Sequence, residues 1–99
     1  MRPQLVRVIV VDCHIDDVLA HIARPAWLAG ARTDVRAQPP DRIVWREGGV
    51  EVTCELEEVW TSTRVTHREE AARGALRRLA RGREVTRRLR ALRRELERR

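Results

Sequence analysis

The chain has 99 residues, which is the length of a single domain with a modest core. It contains no apolar run of the roughly 18 residues that a membrane span requires and no signal-peptide pattern, so we expect a cytoplasmic protein. Its net charge is +6, unevenly placed: residues 1–67 carry eight Arg and ten acidic residues, whereas residues 68–99 carry thirteen Arg and five Glu. This asymmetry is typical of a contact with nucleic acid or an acidic protein, and equally of a solvated arginine-rich helix.

The cysteines and histidines do not predict a metal site. Cys13 and Cys54 fit reduced cytoplasmic thiols, and a bridge between them would require two strands to bring them together. His14, His21 and His67 form no His-x-x-x-His pair, and there is no Cys-x-x-Cys. We therefore expect no metal and no cofactor.

The first third of the chain predicts a strand followed by two short helices. Residues 4–11 are β-branched and read as a strand. Residues 14–23 have apolar side chains at i, i+3, i+4 and i+7, which predicts a short helix. Pro25 ends it and can open a second short helix over residues 25–29, which Gly30 terminates.

The middle of the chain predicts an antiparallel meander. Residues 31–37 are a weak strand and residues 42–46 a clearer one, and the turn over residues 47–49 contains two glycines. Residues 50–57 alternate between apolar and polar, which indicates one dry and one wet face. Residues 62–66 predict the last strand.

The final third predicts one long basic amphipathic helix. Thr66 and Glu69 have capping-box spacing, which indicates that the helix begins there. Its apolar stripe is Ala72, Ala75, Leu79, Gly82, Val85, Leu89, Leu92 and Leu96. The helix is longer than a small sheet can cover. We therefore expect its near end to cover the sheet and its far end to reach past the domain.

These elements predict an α+β fold in which an antiparallel sheet grips a long C-terminal helix. We expect a domain over residues 1–81, which includes the first half of that helix. Residues 82–99 are then a basic amphipathic extension.

The order of the motifs resembles the helix-grip fold of the START/Bet v 1-like superfamily, often called SRPBCC. The superfamily includes polyketide-cyclase-like and Hsp90-activator-like bacterial proteins. The segments that carry the resemblance are VDCHIDDVLA (11–20), RPAWL (24–28), PDRIVWR (40–46) and STRVT (62–66). The resemblance implies two short helices after the first strand and an apolar pocket between sheet and helix. This chain is shorter than such proteins usually are, so it would be a shortened version.

The resemblance implies a set of candidate pocket residues for an apolar small molecule. They are Trp27, Trp45, Val52, Cys54, Trp60, Leu76 and Leu79. The alternative is that these side chains simply fill the core.

The distal helix offers a second candidate surface, for a protein partner. Its residues are Val85, Leu89, Leu92, Leu96, Arg88 and Arg93, and the leucine spacing is that of a coiled-coil seam. It could form a homodimer, dock on another protein or remain a solvated tail. Nucleic-acid binding is disfavoured, because the sequence shows neither a helix-turn-helix nor a basic sheet interleaved with aromatics.

No catalytic constellation is recognisable in the sequence. Asp12, Glu58 and His67 are isolated candidates for acid–base chemistry, and surface or structural roles explain them. The leading hypothesis is therefore an SRPBCC-like module that binds an apolar small molecule and self-associates or docks a partner through its basic helix. The alternatives are an adaptor with no pocket in use and a cyclase-like enzyme acting on a small apolar substrate.

Overall fold

The fold comes from a computed structural model that describes residues 3–24, 26–28 and 30–98. The strands are β1 (Gln4–Val11), β2 (Thr33–Gln38), β3 (Arg42–Glu47), β4 (Val50–Val59) and β5 (Ser62–Glu70), and the helices are α1 (Ile15–Ile22) and α2 (Ala75–Glu97). The predicted α+β class, with an antiparallel sheet and a long C-terminal helix, is confirmed. Neither α1 nor α2, the two helices of the described residues, is long and apolar enough to cross a membrane.

All five strands form one antiparallel sheet in the order β1-β5-β4-β3-β2. Strands β2 to β5 are joined by short turns and lie beside their sequence neighbours, as short connections favour. Strand β1 pairs with β5, so β1 and β2 are the two edges. In β4 the predicted alternation is confirmed, since Val52, Cys54 and Leu56 face the buried side.

Helix α1 is stabilised by its N-terminal cap and by burial of its apolar face. The His14 Nδ1 accepts a hydrogen bond from the Asp16 N–H at 3.2 Å, which satisfies one of the free donors of the first turn. Val18 and Ile22 are completely buried against the sheet.

The second short helix predicted over residues 25–29 is a turn in the part that the structure describes. The Trp27 N–H donates to the Arg24 carbonyl at 3.1 Å. Pro25 and Ala29 lie outside the described residues. A helix of five residues gains too few hydrogen bonds to offset the cost of nucleation, so a turn is the expected outcome.

The predicted capping box at residues 66–69 is wrong, because these residues belong to β5. The alternation of buried side chains continues through His67 to Glu69. Strand β5 hydrogen-bonds to β1 on one side and β4 on the other, and these ladders outweigh a local capping signal. Helix α2 therefore begins later, at Ala75. It follows Gly74, whose φ of 93° suits glycine.

The half of α2 that covers the sheet is the distal half, which reverses the prediction. Leu76, near the start of the helix, is 83% exposed. Because β5 takes residues up to 70, the last turns of the helix lie over the sheet instead of the first. The predicted extension, residues 82–99, thus supplies core side chains: Val85, Leu89, Leu92 and Leu96 are buried in the core of this chain and do not form an exposed seam.

Helix α2 and β1 approach each other closely at Gly82, which is buried. A Cβ at this position would lie 2.5 Å from Arg7 Nη2 and 3.7 Å from Leu5 Cδ1. At the C-terminal end of the helix, Glu97 Oε2 accepts a hydrogen bond from the Asp12 N–H at 2.8 Å. Helix α2 therefore runs along β1 from one end to the other.

We expect Leu92→Ala to lower the free energy of unfolding by about 2–5 kcal/mol, because it leaves a cavity beneath α2. The matched control Leu76→Ala should change it by less than about 0.5 kcal/mol. Urea denaturation followed by tryptophan fluorescence measures both. Equal losses for the two variants would contradict the placement of the distal half on the sheet.

We expect Gly82→Ala to raise the free energy of unfolding by up to about 1 kcal/mol, through higher helix propensity. The atom that the new methyl group meets is the tip of the flexible Arg7 side chain, which can swing away. The same denaturation experiment measures the change. A loss of stability would mean that Arg7 is fixed in place.

Candidate functional site

A network of largely buried charged side chains joins the middle of α2 to the sheet. Glu69 of β5 is buried. The single Arg81 Nε–H is shared between its two carboxylate oxygens, at 3.0 and 3.1 Å, and Arg81 Nη2 donates to Oε1 at 2.8 Å. His67 Nε2 lies 2.6 Å from Glu69 Oε1. Burial alone would raise the pKa of Glu69, but the hydrogen bonds from His67 and Arg81 outweigh it and lower that pKa to about 2. Since Glu69 is ionised, the His67 Nε2–H is the donor.

The network continues through Glu47 at the end of β3. Arg88 Nη1 donates to both Glu47 oxygens at 2.7 and 2.9 Å, and Arg81 Nη2 donates to one of them at 3.0 Å. The Trp45 Nε1–H donates to the same carboxylate at 2.9 Å. Burial opposes ionisation of Glu47, yet the hydrogen bonds from Arg88 and Trp45 keep its pKa below the usual value. Glu84 closes a ring by accepting from both arginines.

This network has a structural role, holding α2 against the sheet, and is not an acid–base centre. Its carboxylates stay ionised and are held by arginines, so neither Glu47 nor Glu69 can supply a proton near neutral pH. It borders an open cleft of about 750 Å³ between α2 and the β3–β4 turn. Glu47, Glu69 and Arg81 were not predicted as site residues. Extending the strand alternation past residue 66 would have placed Glu69 on the buried face.

A second polar contact joins α1 to α2. His21 is buried, and its Nε2 lies 2.7 Å from Glu95 Oε2. Its Nδ1 is buried without a hydrogen-bond partner among the described residues. This contact holds the short helix against the distal half of α2.

The other face of α2 forms an arginine-lined groove with β1, which we call the arginine groove. Its lining residues are Arg7, Leu79, Gly82, Arg83, Thr86, Arg87, Arg90, Arg93 and Arg94, and its volume is about 710 Å³. Positions 83, 87, 90 and 94 are four, three and four residues apart, so they share one helical face. This face lies beside the buried stripe.

The six arginines of this groove have no acidic partner within 4.0 Å among the described residues. Elsewhere arginines do find carboxylates: Arg68 meets Glu55, and Arg64 meets Glu57. The groove is therefore a concentrated, uncompensated positive surface, which attracts anionic groups. Of the predicted partner residues, Arg93 lines this groove and Arg88 lies in the buried network.

The predicted pocket residues are not brought together in one cavity. Val52 and Cys54 are buried in the core beside Trp45, and Trp27 packs edge-on to Trp45 with ring centroids 5.8 Å apart. Trp60 is 98% exposed at the β4–β5 turn. Leu76 is exposed on α2, and Leu79 lines the arginine groove.

The candidate catalytic and metal residues are also dispersed. Cys54 is a free thiol whose pKa burial raises to about 12, so it is a neutral core residue and not a nucleophile. Glu58 is exposed, and His67 belongs to the buried network. In the part of the chain that the structure describes, no three His, Cys, Asp or Glu side chains are grouped so that they could hold a metal ion.

No protein-family model and no curated protein matches the sequence. Solved structures do match. The chain superposes on the solution structure of the Aha1 dimer from Colwellia psychrerythraea with a TM-score of 0.78 and 12% identity, covering 96% of each chain. It superposes on the crystal structure of CalU16 from Micromonospora echinospora with a TM-score of 0.71 and 20% identity, covering 91% of this chain and 71% of that one. These matches confirm the fold that the sequence resemblance implied, an antiparallel sheet packed against a long C-terminal helix.

We expect Glu69→Gln to remove part of the pH dependence of stability. The folded-state pKa of Glu69 is about 2, below its ordinary value of 4.5, so its contribution is present above pH 4.5 and is lost as the pH falls toward 2. The variant should be less stable than the wild type by about 2 kcal/mol at pH 7, and the two should converge near pH 2. Urea denaturation at a series of pH values measures this difference.

The exposed Glu58→Gln is the matched control, and its difference from the wild type should stay below about 0.5 kcal/mol at every pH. A constant gap between Glu69→Gln and the wild type from pH 7 to pH 2 would contradict the assignment.

Proposed function

We propose that this protein is an interaction module of SRPBCC-like fold that binds an acidic polypeptide in its arginine groove. The observation that carries the proposal is the row of arginines on α2 and β1, none of which has a carboxylate of the described residues within 4.0 Å. Within a folded chain of mixed charge, such a row leaves its counter-charge to be supplied by a partner.

Contacts elsewhere in the molecule hold the helix that carries these arginines in a fixed position. The distal half of α2 is fixed by its buried leucines and by Arg88, which binds Glu47. The first half is fixed by Arg81, which binds Glu47 and Glu69. The arginines of the groove are therefore presented from a helix that is held at several points. A surface that is already ordered loses less entropy on binding.

An apolar small molecule, the leading hypothesis from the sequence, finds less support. The space between sheet and helix, which the resemblance assigns to a pocket, is filled by side chains such as Trp45, Leu89 and Leu92. Three of the buried titratable groups give no support to the enzyme alternative, since Glu47 and Glu69 are bound to arginines and the Cys54 thiol stays neutral.

Self-association is a second candidate, because one of the structural neighbours is described as a dimer. The leucine seam is buried within the chain, so a dimer would have to use another surface. Light scattering would then give twice the monomer mass of 11.5 kDa. A monomer at all concentrations up to those used for structural work would remove this candidate.

The acidic-partner proposal predicts binding of a labelled peptide of alternating glutamate and threonine, measured by fluorescence anisotropy at low salt. The same peptide with glutamine for glutamate should bind at least about tenfold more weakly, and added salt should weaken the acidic peptide because it screens exposed charges.

The double variant Arg83→Glu/Arg90→Glu should lose at least about tenfold in affinity for the acidic peptide. Arg77→Glu/Arg78→Glu is the control, with the same change in charge on the same helix but outside the groove. Equal losses in the two variants, or equal binding of the glutamine peptide, would overturn the proposal. So would tighter binding of a thymidine oligonucleotide than of the acidic peptide.

A further inference from the structure

Strand β1 is an edge of the sheet, and on that edge it pairs with no other strand of the described residues. The Ala71 N–H donates to the Pro3 carbonyl at 3.0 Å, which continues the β1–β5 ladder one pair beyond Gln4↔Glu70. In an antiparallel ladder the residues that bond to the neighbouring strand alternate. Odd-numbered residues of β1 therefore bond to β5, and Val6 and Val8 direct their N–H and C=O groups outward.

A second contact agrees with this assignment. The Val6 carbonyl accepts a hydrogen bond from the Arg7 Nη1 at 2.9 Å, so it is not engaged with β5. In the sheet that the described residues form, β1 has β5 as its one strand neighbour. Free strand edges of this kind can pair with another extended chain.

The free edge and the arginine groove run side by side. Arg7 of β1 lines the groove together with the arginines of α2, and α2 follows β1 from Gly82 to Glu97. From Arg83 to Arg94 the helix rises about 16 Å, so its four aligned arginines are spaced by about 5.5 Å on average. Alternate side chains of an extended chain are about 6.7 Å apart. An extended chain along β1 can therefore place an acidic side chain near most of these arginines.

The two faces of β1 favour different side chains in an extended chain that pairs with it. Residues opposite each other in paired strands lie on the same face. On the helix side the added strand meets Arg7 and the arginine groove. On the other side it meets Val8 and Val10, which are 54% and 45% exposed. The surface thus favours acidic side chains alternating with β-branched or apolar ones.

Other occupants fit this surface less well. A second copy pairing through β1 would bring two arginine grooves together, and like charges in that position repel. Single-stranded nucleic acid is held by base stacking on aromatic side chains, and none of the groove residues is aromatic. A helical peptide could use the charges but not the free backbone edge.

We propose that the acidic partner binds as an extended strand added to the free edge of β1, with alternate acidic side chains directed at the arginine groove. This inference rests on the proposed function and specifies the partner's conformation and sequence pattern. Main-chain hydrogen bonds supply part of the affinity, and the alternation supplies specificity.

Val8→Pro tests the edge. Proline removes an N–H that faces outward, so the β1–β5 ladder is kept, and edge strands tolerate proline at such positions. We expect affinity for the glutamate–threonine peptide to fall at least about tenfold while all six arginines remain. A circular dichroism spectrum and a urea melt confirm that the variant is folded. Unchanged affinity in the folded variant would overturn strand addition and leave charge-driven docking.

A measurement on the wild type keeps the test open if Val8→Pro does not fold. Amide exchange of Val8 should slow at least about tenfold when the peptide saturates the protein, because strand pairing shields that N–H. A peptide of the same composition, with glutamates and threonines in pairs instead of alternating, should bind at least about fivefold more weakly. Unchanged exchange, or equal binding of the paired-pattern peptide, contradicts strand addition. If neither peptide binds at low salt, the proposed function itself fails.

Discussion

Burial of the distal half of α2 against the sheet is the contact on which the rest of the molecule depends. Leu89, Leu92 and Leu96 enter the same core as Trp45 and the inward side chains of β4. Removing a few such leucines from water is worth several kcal/mol, comparable with the whole net stability of a small domain. The contact also fixes the rotation of the helix about its axis. The arginine face must then lie beside β1, and Arg81 and Arg88 must face Glu47.

The charged network around Arg81 and Arg88, in the middle of α2, has a different role. Buried ion pairs contribute little net stability, because desolvation offsets much of the attraction. They do, however, disfavour other positions of α2 on the sheet, since moving the helix would leave the buried Glu69 and Glu47 carboxylates without their arginine partners. Apolar burial thus supplies the free energy, and Glu69, Glu47 and Arg81 select the register of α2 on the sheet. At the arginine groove, by contrast, no carboxylate of the described residues lies within 4.0 Å of an arginine.

Local sequence patterns predicted the strands well where the side chains alternate over an open face, as in residues 50–57. They failed at residues 66–69, where a capping-box pattern and a strand alternation overlap. The choice between them depends on β1 and β4, which are distant in sequence and pair with β5 on both sides. Local patterns also do not distinguish buried from exposed apolar residues. Trp45 and Trp60 are the same residue type, and only packing decides that Trp60 lies at an exposed turn while Trp45 lies in the core.

The sequence by itself determined the class of the fold, the SRPBCC resemblance, the amphipathic character of the last helix and the concentration of arginine on it. These are properties of periodicity and composition, which each segment carries alone. Only the tertiary structure decided which half of α2 covers the sheet, which arginines are paired with carboxylates, and which lie beside β1 with no carboxylate of the described residues within 4.0 Å. Those outcomes depend on where β5 ends and how the helix is rotated, and both are set by contacts between residues far apart in the chain.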